Sequence, residues 1–405
     1  MAEGIKFLQL TNKPPFPPMD GGAIGMNNIS QGLINEGYNL KIFSVNTHKH
    51  FVDIANLPEE YISKTSIEFG FIDTRIKNID ALINLFSSKS YNIKRFFDKK
   101  FESKLIEILL SIDFDIVQME SIFLMYYLPT IRKYSKAKVI LRAPNVEFKI
   151  WERLAHTEKN ILKKFYLKLL ASRLKKEEME ILNKFDALYT VTESDMKIFQ
   201  SLGANIPMTY IPTGMDVTKI VHEKNNLAEE LSLFHIGALD WRPNQEGLMW
   251  FLENVWDKLT NEFPDLKFYL AGRRPPQWIK NLSFKNLIIL GEIDDAEAFI
   301  NAHSIMIVPL FSGSGMRVKI VEGMMLGKAI ISTNIGAEGI VFDNGCDIII
   351  ADTEEEFISA IRLLVNDSEK LQSLKNNAHT NSKKNYSDEV LTKKLIDFLS
   401  NILSV

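Results

Sequence analysis

Apolar and polar positions fall in two alternating patterns along the chain: short unbroken apolar runs, then longer stretches in which apolar residues recur every three or four positions. The runs have the length of strands buried on both faces, and the stretches have the period of helices packed along one side. Ile5 to Thr11 reads as the first strand, Asn12 to Gly22 as a Pro- and Gly-rich loop, and Ala23 to Gly37 as a helix that Gly37 stops. Asn39 to Val45 is the next strand, and Asp115 to Glu120, Lys138 to Arg142 and Ala187 to Thr192 repeat the alternation. A second run begins after the turn-like Ile211 to Asp216 and a polar stretch around Glu223 to Glu230. Its strands fall at Leu231 to Ile236, Leu266 to Ala271, Leu287 to Leu290, Ser304 to Pro309, Lys328 to Ser332 and Asp347 to Ala351. Helices such as Gln245 to Glu262 fit between them, and Thr353 to Glu356 has the spacing of a capping box. This alternation predicts the α/β class, with two doubly wound parallel sheets meeting near residue 220. The last segment, Ser387 to Leu403, reads as an amphipathic helix that either half can accept.

Composition agrees with two domains, because 405 residues exceed what one hydrophobic core usually supports. A formal charge of −3 gives no global attraction to nucleic acid or anionic lipid, so any such attraction is local. Cys346 is the only cysteine, which excludes an internal disulfide and a thiolate zinc cluster and points to a cytoplasmic location. The N-terminus does not read as a secretory signal, and no apolar stretch approaches the ~18 residues that span a bilayer. The seven histidines are scattered and none forms a metal-binding pair, so no metal site is expected.

Ligands of open α/β sheets bind outside the carboxyl ends of strands, so the loops there carry the chemistry. Ser312 to Glu322 is the most informative. Gly313 and Gly315 let the backbone approach a ligand, and the following helix start offers amides to an anion. Arg317 and Lys319 add two charges where the macrodipole disfavours them, at ~0.5 kcal/mol each, a cost that makes sense if a diphosphate sits there. Glu322, one turn on, is placed to accept two hydrogen bonds from a ribose diol. A tight turn with solvated basic residues accounts for the same letters.

Two other loops follow. In Pro17 to Gly22, Gly21 and Gly22 precede a helix and admit a phosphate or sugar to main-chain amides, or form a plain turn. In Leu141 to Glu147, Asn145 and Glu147 face a ligand and Arg142 meets an anion, or Glu147 is simply a first-turn helix carboxylate. Gly291 to Ile293 suits backbone reading of a base, and Gly272 to Arg274 gives two cations that a solvated surface explains equally. Trp250, Phe251, Trp256, Met324 and Met325 read as core. From Lys159 to Lys176 there are seven basic residues and no acidic one, interleaved with Ile161, Leu162, Phe165 and other apolar residues. Such a helix lies on anionic lipid or presents a solvated face.

The run Gly313-Ser-Gly-Met-Arg-x-Lys-x-x-Glu322, followed by Gly327 to Thr333 and Gly336-Ala-Glu-Gly339, resembles the donor site of retaining glycosyltransferases with the GT-B fold. The resemblance is closest to glycosyltransferase family 4. Gly21-Gly22, Asn145-Val-Glu147, Thr192 to Asp195, Ile211 to Asp216, Asp240 to Asn244 and Gly291 to Ile293 extend it over most of the chain. It implies two Rossmann-like domains facing a cleft: an acceptor domain over 1–218, a donor domain over 219–386, and a helix over 387–405 crossing back to the first. It implies a hexosyltransferase that retains anomeric configuration without metal or cofactor. The donor would be a nucleoside-diphosphate sugar, a UDP-sugar in preference to a GDP-sugar. The acceptor would be a glycan, a lipid-linked sugar or another hydroxyl compound of surface polysaccharide synthesis.

Carried onto this chain, the resemblance assigns the diphosphate to Arg317 and Lys319, the ribose to Glu322 and a sugar contact to Asn145. Further donor contacts fall at Gly21 and Gly22; at Gly237, Arg242 and Asn244; at Arg273; at Gly291 and Ile293; and at Ser314, Gly315 and Met316. The chain departs from the family at three places. Ser314 stands where relatives carry the first glutamate of a Glu-x7-Glu pair, Pro144 where they often carry histidine, and Ala238 and Asn244 near positions of an Arg and a Lys. The expectation is that Arg317 and Lys319 supply the missing charge, with help from Arg242. A nucleotide-sugar 2-epimerase of the same fold and a non-catalytic nucleotide-sugar binding protein are the alternatives. The expected place of work is the cytoplasm or the inner face of the membrane.

Overall fold

Each strand is followed by a segment that crosses back over the sheet, so neighbouring strands run the same way. All pairings of named strands are parallel. The computed structural model describes residues 4–75, 84, 87, 89–158, 160–215, 229–313 and 315–404. It divides into two compact units, Met1–Gly214 with Leu391–Val405, and Met215–Val390.

The first unit holds β1 (Lys6–Thr11), β2 (Asn39–Asn46), β3 (Glu68–Phe71), β4 (Ile116–Glu120), β5 (Lys138–Ala143), β6 (Ala187–Thr190) and β7 (Met208–Tyr210). They are ordered β3-β2-β1-β4-β5-β6-β7. The central strands β1, β4, β5 and β6 are apolar and buried, as their unbroken runs predict. Strands β3 and β7 are additions to the sequence reading. Both are short and half-exposed at the sheet edges, so neither carries an apolar run. Helix α1 (Gly21–Asn35) follows β1, and α2 (Glu147–Thr157) and α3 (Ile161–Leu182) follow β5. The start of α1 at Gly21 falls two residues before the expected one because Asp20 caps it, accepting from the Ala23 amide at 2.9 Å.

The second unit holds β8 (Glu230–Ala238), β9 (Phe268–Arg273), β10 (Leu287–Gly291), β11 (His303–Val308), β12 (Ala329–Ser332) and β13 (Ile349–Ile350), ordered β10-β9-β8-β11-β12-β13. The helix expected from Gln245 starts earlier, as α4 (Arg242–Phe251), because Pro243 is tolerated in a first turn. It continues through a π turn at Leu252–Trp256 into Asp257–Glu262. Phe251, Trp256, Met324 and Met325 are buried, and Trp250 packs against the group that holds Phe251 and Trp256. The loop after β11 leads into α5 (Val318–Met325). Thr353 and Glu356 form the capping box that their spacing predicts. The final helix, α6 (Asp388–Leu403), buries Leu391, Leu395, Leu399 and Ile402 against Phe7, Ile42 and Tyr189. One helical stripe thereby closes a face of the first unit's sheet.

Candidate functional site

In the second sheet the strand order reverses between β8 and β11. The chain leaves β8 toward β9 on one side and β11 toward β12 on the other, so the loops diverge and open a crevice at the carboxyl ends. His235 and Gly237 lie on β8, Asn244 opens α4, and Arg317 and Lys319 stand at the start of α5. His235 Nδ1 lies 2.8 Å from the Ile307 carbonyl oxygen, which only accepts, so Nδ1 carries the proton and Nε2 is left as an acceptor. Lys319 Nζ lies 3.2 Å from that Nε2 and donates to Asn244 Oδ1, also at 3.2 Å. The Asn244 amide is oriented by donating to the Ala238 carbonyl at 2.8 Å.

Lys319 is therefore held by two neutral acceptors, and among the described residues no carboxylate pairs with it. Burial, and then the charge of Arg317, push its ammonium down to about 7. The residue as a whole is half-buried. Burial and then Lys319 hold His235 well below the ordinary imidazole value, so it stays neutral. Gly237 makes room for the pair: a Cβ there would stand 3.2 Å from Lys319 Nζ and 3.1 Å from Asn244 Nδ2.

Arg317 is the buried N-cap residue of α5, its Nη1 donating to the Gly315 carbonyl at 2.5 Å. Its guanidinium lies 5.3 Å from the centre of the Trp241 ring, a cation–π contact. Gly313 has φ +111°, and a Cβ there would come 2.7 Å from Arg317 Nη2 and 3.0 Å from Trp241. The helix that Arg317 opens has no acidic residue in its first turn and no side-chain cap among the described residues; the Ile320 amide donates back to the Arg317 carbonyl at 2.8 Å, while the Val318 and Lys319 amides have no intrahelical partner and suit an anion. Glu322 is half-buried in the same helix. Burial and then Glu297 push its carboxyl up to about 7, and no hydrogen-bond donor to that carboxyl is found among the described residues.

The other expected contacts sort themselves around this cluster. Gly315, with φ +81°, contributes the carbonyl that holds Arg317, while the Met316 side chain packs on the core. Ser314 lies outside the described residues. Arg242 pairs with Glu246 at 2.6 Å and is exposed, so its charge is engaged within α4 and does not join Lys319. Arg273 ends β9 and its carbonyl receives the Leu239 amide, and Gly291 ends β10 with φ +71°. Both stand at the same sheet edge, and Ile293 packs toward the core. Arg274 lies 3.6 Å from Asp240 at the surface. His235 and Trp241 hold the site's cations without being expected from the letters alone. A lone His inside the strand-like Leu231 to Ile236 is the available signal.

Gly21, Gly22 and Asn145 belong to the first unit. Gly21 and Gly22 are the first two residues of α1, whose amides the helix itself leaves unpaired. The neighbouring Asp20 pairs with Lys13 at 2.5 Å. Burial raises that carboxyl, but Lys13 outweighs it and the net shift is downward. The Asn145 side chain bonds the Glu147 carboxyl, which burial lifts to about 7. Glu178 accepts from the Glu147 and Phe148 amides at 3.1 Å each, so it caps α2; burial lifts it to about 8. Arg142 corrects the sequence reading. It is buried and pairs with Glu120 at 2.8 Å, so its charge is already neutralised one strand away and no outside anion meets it. Among the described residues no group of three or more His, Cys, Asp or Glu is placed to hold a metal ion.

Residues 230–367 match the family model described as glycosyl transferases group 1. The second unit carries a group 1 glycosyl transferase domain. The His235, Asn244, Arg317, Lys319 and Glu322 cluster lies wholly inside it. Over 381 residues the chain is 24% identical to an uncharacterized 44.6 kDa protein in the cps region of Klebsiella pneumoniae, covering 91% of this chain and 92% of that protein. Its fold is similar to that of sucrose-phosphate synthase from Thermosynechococcus elongatus, with TM-score 0.69 and 13% identity over 98% of this chain and 99% of that one. It is also similar to Anabaena HepE in complex with UDP-glucose, with TM-score 0.66 and 12% identity over 98% and 100%. The structural likenesses show a GT-B fold over nearly the whole chain.

Proposed function

We propose that this protein transfers a sugar from a nucleoside-diphosphate sugar to a hydroxyl acceptor, a glycan or lipid-linked sugar of surface polysaccharide synthesis. The observation that carries the reading is Lys319, an amine at the switch point whose partners among the described residues are the neutral acceptors His235 and Asn244. An enclosed cation without a counter-charge is costly, and a diphosphate is the ligand chemistry that relieves it beside open helix amides. Arg317, held against Trp241 and the Gly315 carbonyl, is placed to stabilise charge growing on the leaving phosphate. Glu322 binds the ribose diol as a carboxylate. Asn145, Gly21 and Gly22 contact sugar or phosphate, and the first unit receives the acceptor. Gly237, Arg273, Gly291, Ile293, Ser314 and Gly315 complete the donor contacts, largely through backbone. Transfer proceeds with retention and without metal, the departing phosphate taking the acceptor proton.

A UDP-sugar is the favoured donor, in keeping with the UDP-glucose bound by the HepE neighbour, and the relative in a cps region supports a surface polysaccharide as product. The test is a thermal-shift series with UDP, GDP, ADP and their sugars, where a ligand at a hundredfold excess over its Kd stabilises by ~3 kcal/mol. NMR of the product's anomeric centre then checks retention. No stabilisation by any of these ligands would refute donor binding. Binding without release of nucleoside diphosphate in a range of acceptor mixtures would leave a non-catalytic binding protein.

A further inference from the structure

Single exposed apolar residues need no explanation on a protein surface, but a gathered group does. Helices α2 and α3 run consecutively, separated by residues 158–160. At the end where they meet, Leu154 in the last turn of α2 is 47% exposed, and Ile161, Leu162 and Phe165 at the start of α3 are 82%, 83% and 71% exposed. Positions 161, 162 and 165 share one side of the helix, and exposed Lys168 and Lys176 continue that side. Leu167, Leu170, Ala171 and Leu174 occupy the opposite side and are buried. The first turns of α3 are thus apolar on a side that the unit's core does not use.

The charge around this tip is one-sided. Between Arg153 and Lys168 the sequence has five basic residues and one acidic, Glu158, which pairs with Lys163 at 2.7 Å. The whole chain is slightly acidic, so the positive field is local. We propose that the α2–α3 tip docks this protein on an anionic lipid surface, with Ile161, Leu162 and Phe165 entering the headgroup boundary and Lys164 and Lys168 flanking them to meet lipid phosphates. Three features favour lipid. The apolar side chains stand out on a helix end, a shape suited to a deformable medium. Lysines beside them place their stems along the apolar boundary and their ammoniums at the headgroups. A second copy of the chain would bring two basic tips together, which repels. Among the described residues no helix is long and apolar enough to cross a bilayer, so this contact lies at the surface.

The test is sedimentation of the full chain with vesicles of phosphatidylcholine, with and without phosphatidylglycerol, and it does not depend on the donor reading. Binding only to the anionic vesicles, weakened by salt, is expected. Changing Ile161→Ser, Leu162→Ser and Phe165→Ser together is expected to lower the partition coefficient at least about tenfold. The same variant should keep the parent's thermal unfolding, since the side chains are exposed. In a Phe165→Trp variant, the fluorescence that the new indole adds to the parent's should shift to the blue with anionic vesicles alone. No vesicle binding, equal binding to neutral vesicles, or an unshifted emission from the Phe165→Trp variant would overturn the proposal. So would undiminished vesicle binding by the triple-serine variant, which would mean that these apolar side chains do not enter the lipid.

Discussion

The two sheets share a topology and differ in what fills their switch points. In the first unit the strand order reverses between β1 and β4, and most polar groups there bond one another, with Arg142 Nε and Thr11 Oγ1 buried without a partner among the described residues. Glu120 accepts from Gln9 at 2.8 Å, Gln118 at 2.7 Å and Arg142 at 2.8 Å, while Ser30 bonds Gln9 and Tyr189 bonds Gln118. The adjoining helix start is capped by Asp20. In the second unit Lys319 at the reversal has, among the described residues, only His235 and Asn244 as side-chain partners, and no described side chain caps the adjoining helix start. The first arrangement answers the buried Arg142 charge from within and contributes stability and uniqueness of fold. The second is left electrostatically incomplete, which is how a protein keeps binding free energy in reserve for a ligand.

The difference can be broken from either end. Arg142→Met removes one partner of a buried pair and should cost ~3–5 kcal/mol of stability, measured by denaturant unfolding. An unchanged midpoint would mean the first switch point is not the closed network described. Arg317→Ala with Lys319→Ala should lower turnover by about a hundred- to thousandfold, ~3–4 kcal/mol, with the fold intact by circular dichroism. Turnover within a few-fold of the parent would sink the assigned division of roles.

Smaller effects sharpen the comparison. Lys319→Met should raise unliganded stability by ~1 kcal/mol, because it removes an enclosed charge without a counter-ion. The sign in pH follows from a folded value of about 7, below the ordinary lysine value of 10.5. The parent binds this proton less well when folded, so it loses stability as pH falls from 10.5 toward 7, and the variant's gain grows over that range and levels below it. Urea titrations at alkaline and neutral pH separate this from a packing effect, which would not vary with pH.

Affinity for a sugar nucleotide, whose diphosphate does not titrate near neutrality, should peak near pH 7. Below it Glu322 must release a proton to accept the diol; above it Lys319 must take one up to meet the phosphate. Calorimetry should show each limb falling by up to ~10-fold per pH unit, and Glu322→Gln should flatten the acid limb. Gly313→Ala should weaken donor binding by ~1 kcal/mol, since φ +111° is strained for alanine and its methyl presses on Arg317.

Most of the fold was legible from periodicity, because buried parallel strands are unbroken apolar runs and the crossing helices carry one apolar side. All six expected strands of the second unit are present, and only the half-exposed edge strands β3 and β7 escaped. The loop from Ser312 to Glu322 was legible from its glycines and cations. The partners of those cations were not. Arg142 at a strand end and Lys319 at a helix start look alike as letters, each a basic residue in a segment expected to meet ligand, and the reading that Arg142 meets an anion failed because Glu120 stands on the neighbouring strand.

What the sequence determined by itself were local quantities: the period of each element, the breaks supplied by glycine and proline, and the density of charge at a helix start or along α3. What only the tertiary structure decided was whether each charge is already answered. His235 and Asn244 are 84 and 75 residues from Lys319, and the sheet brings them to one edge. Electrostatic completeness is a property of distance and burial in space, so it becomes readable only after the strands have been placed beside one another.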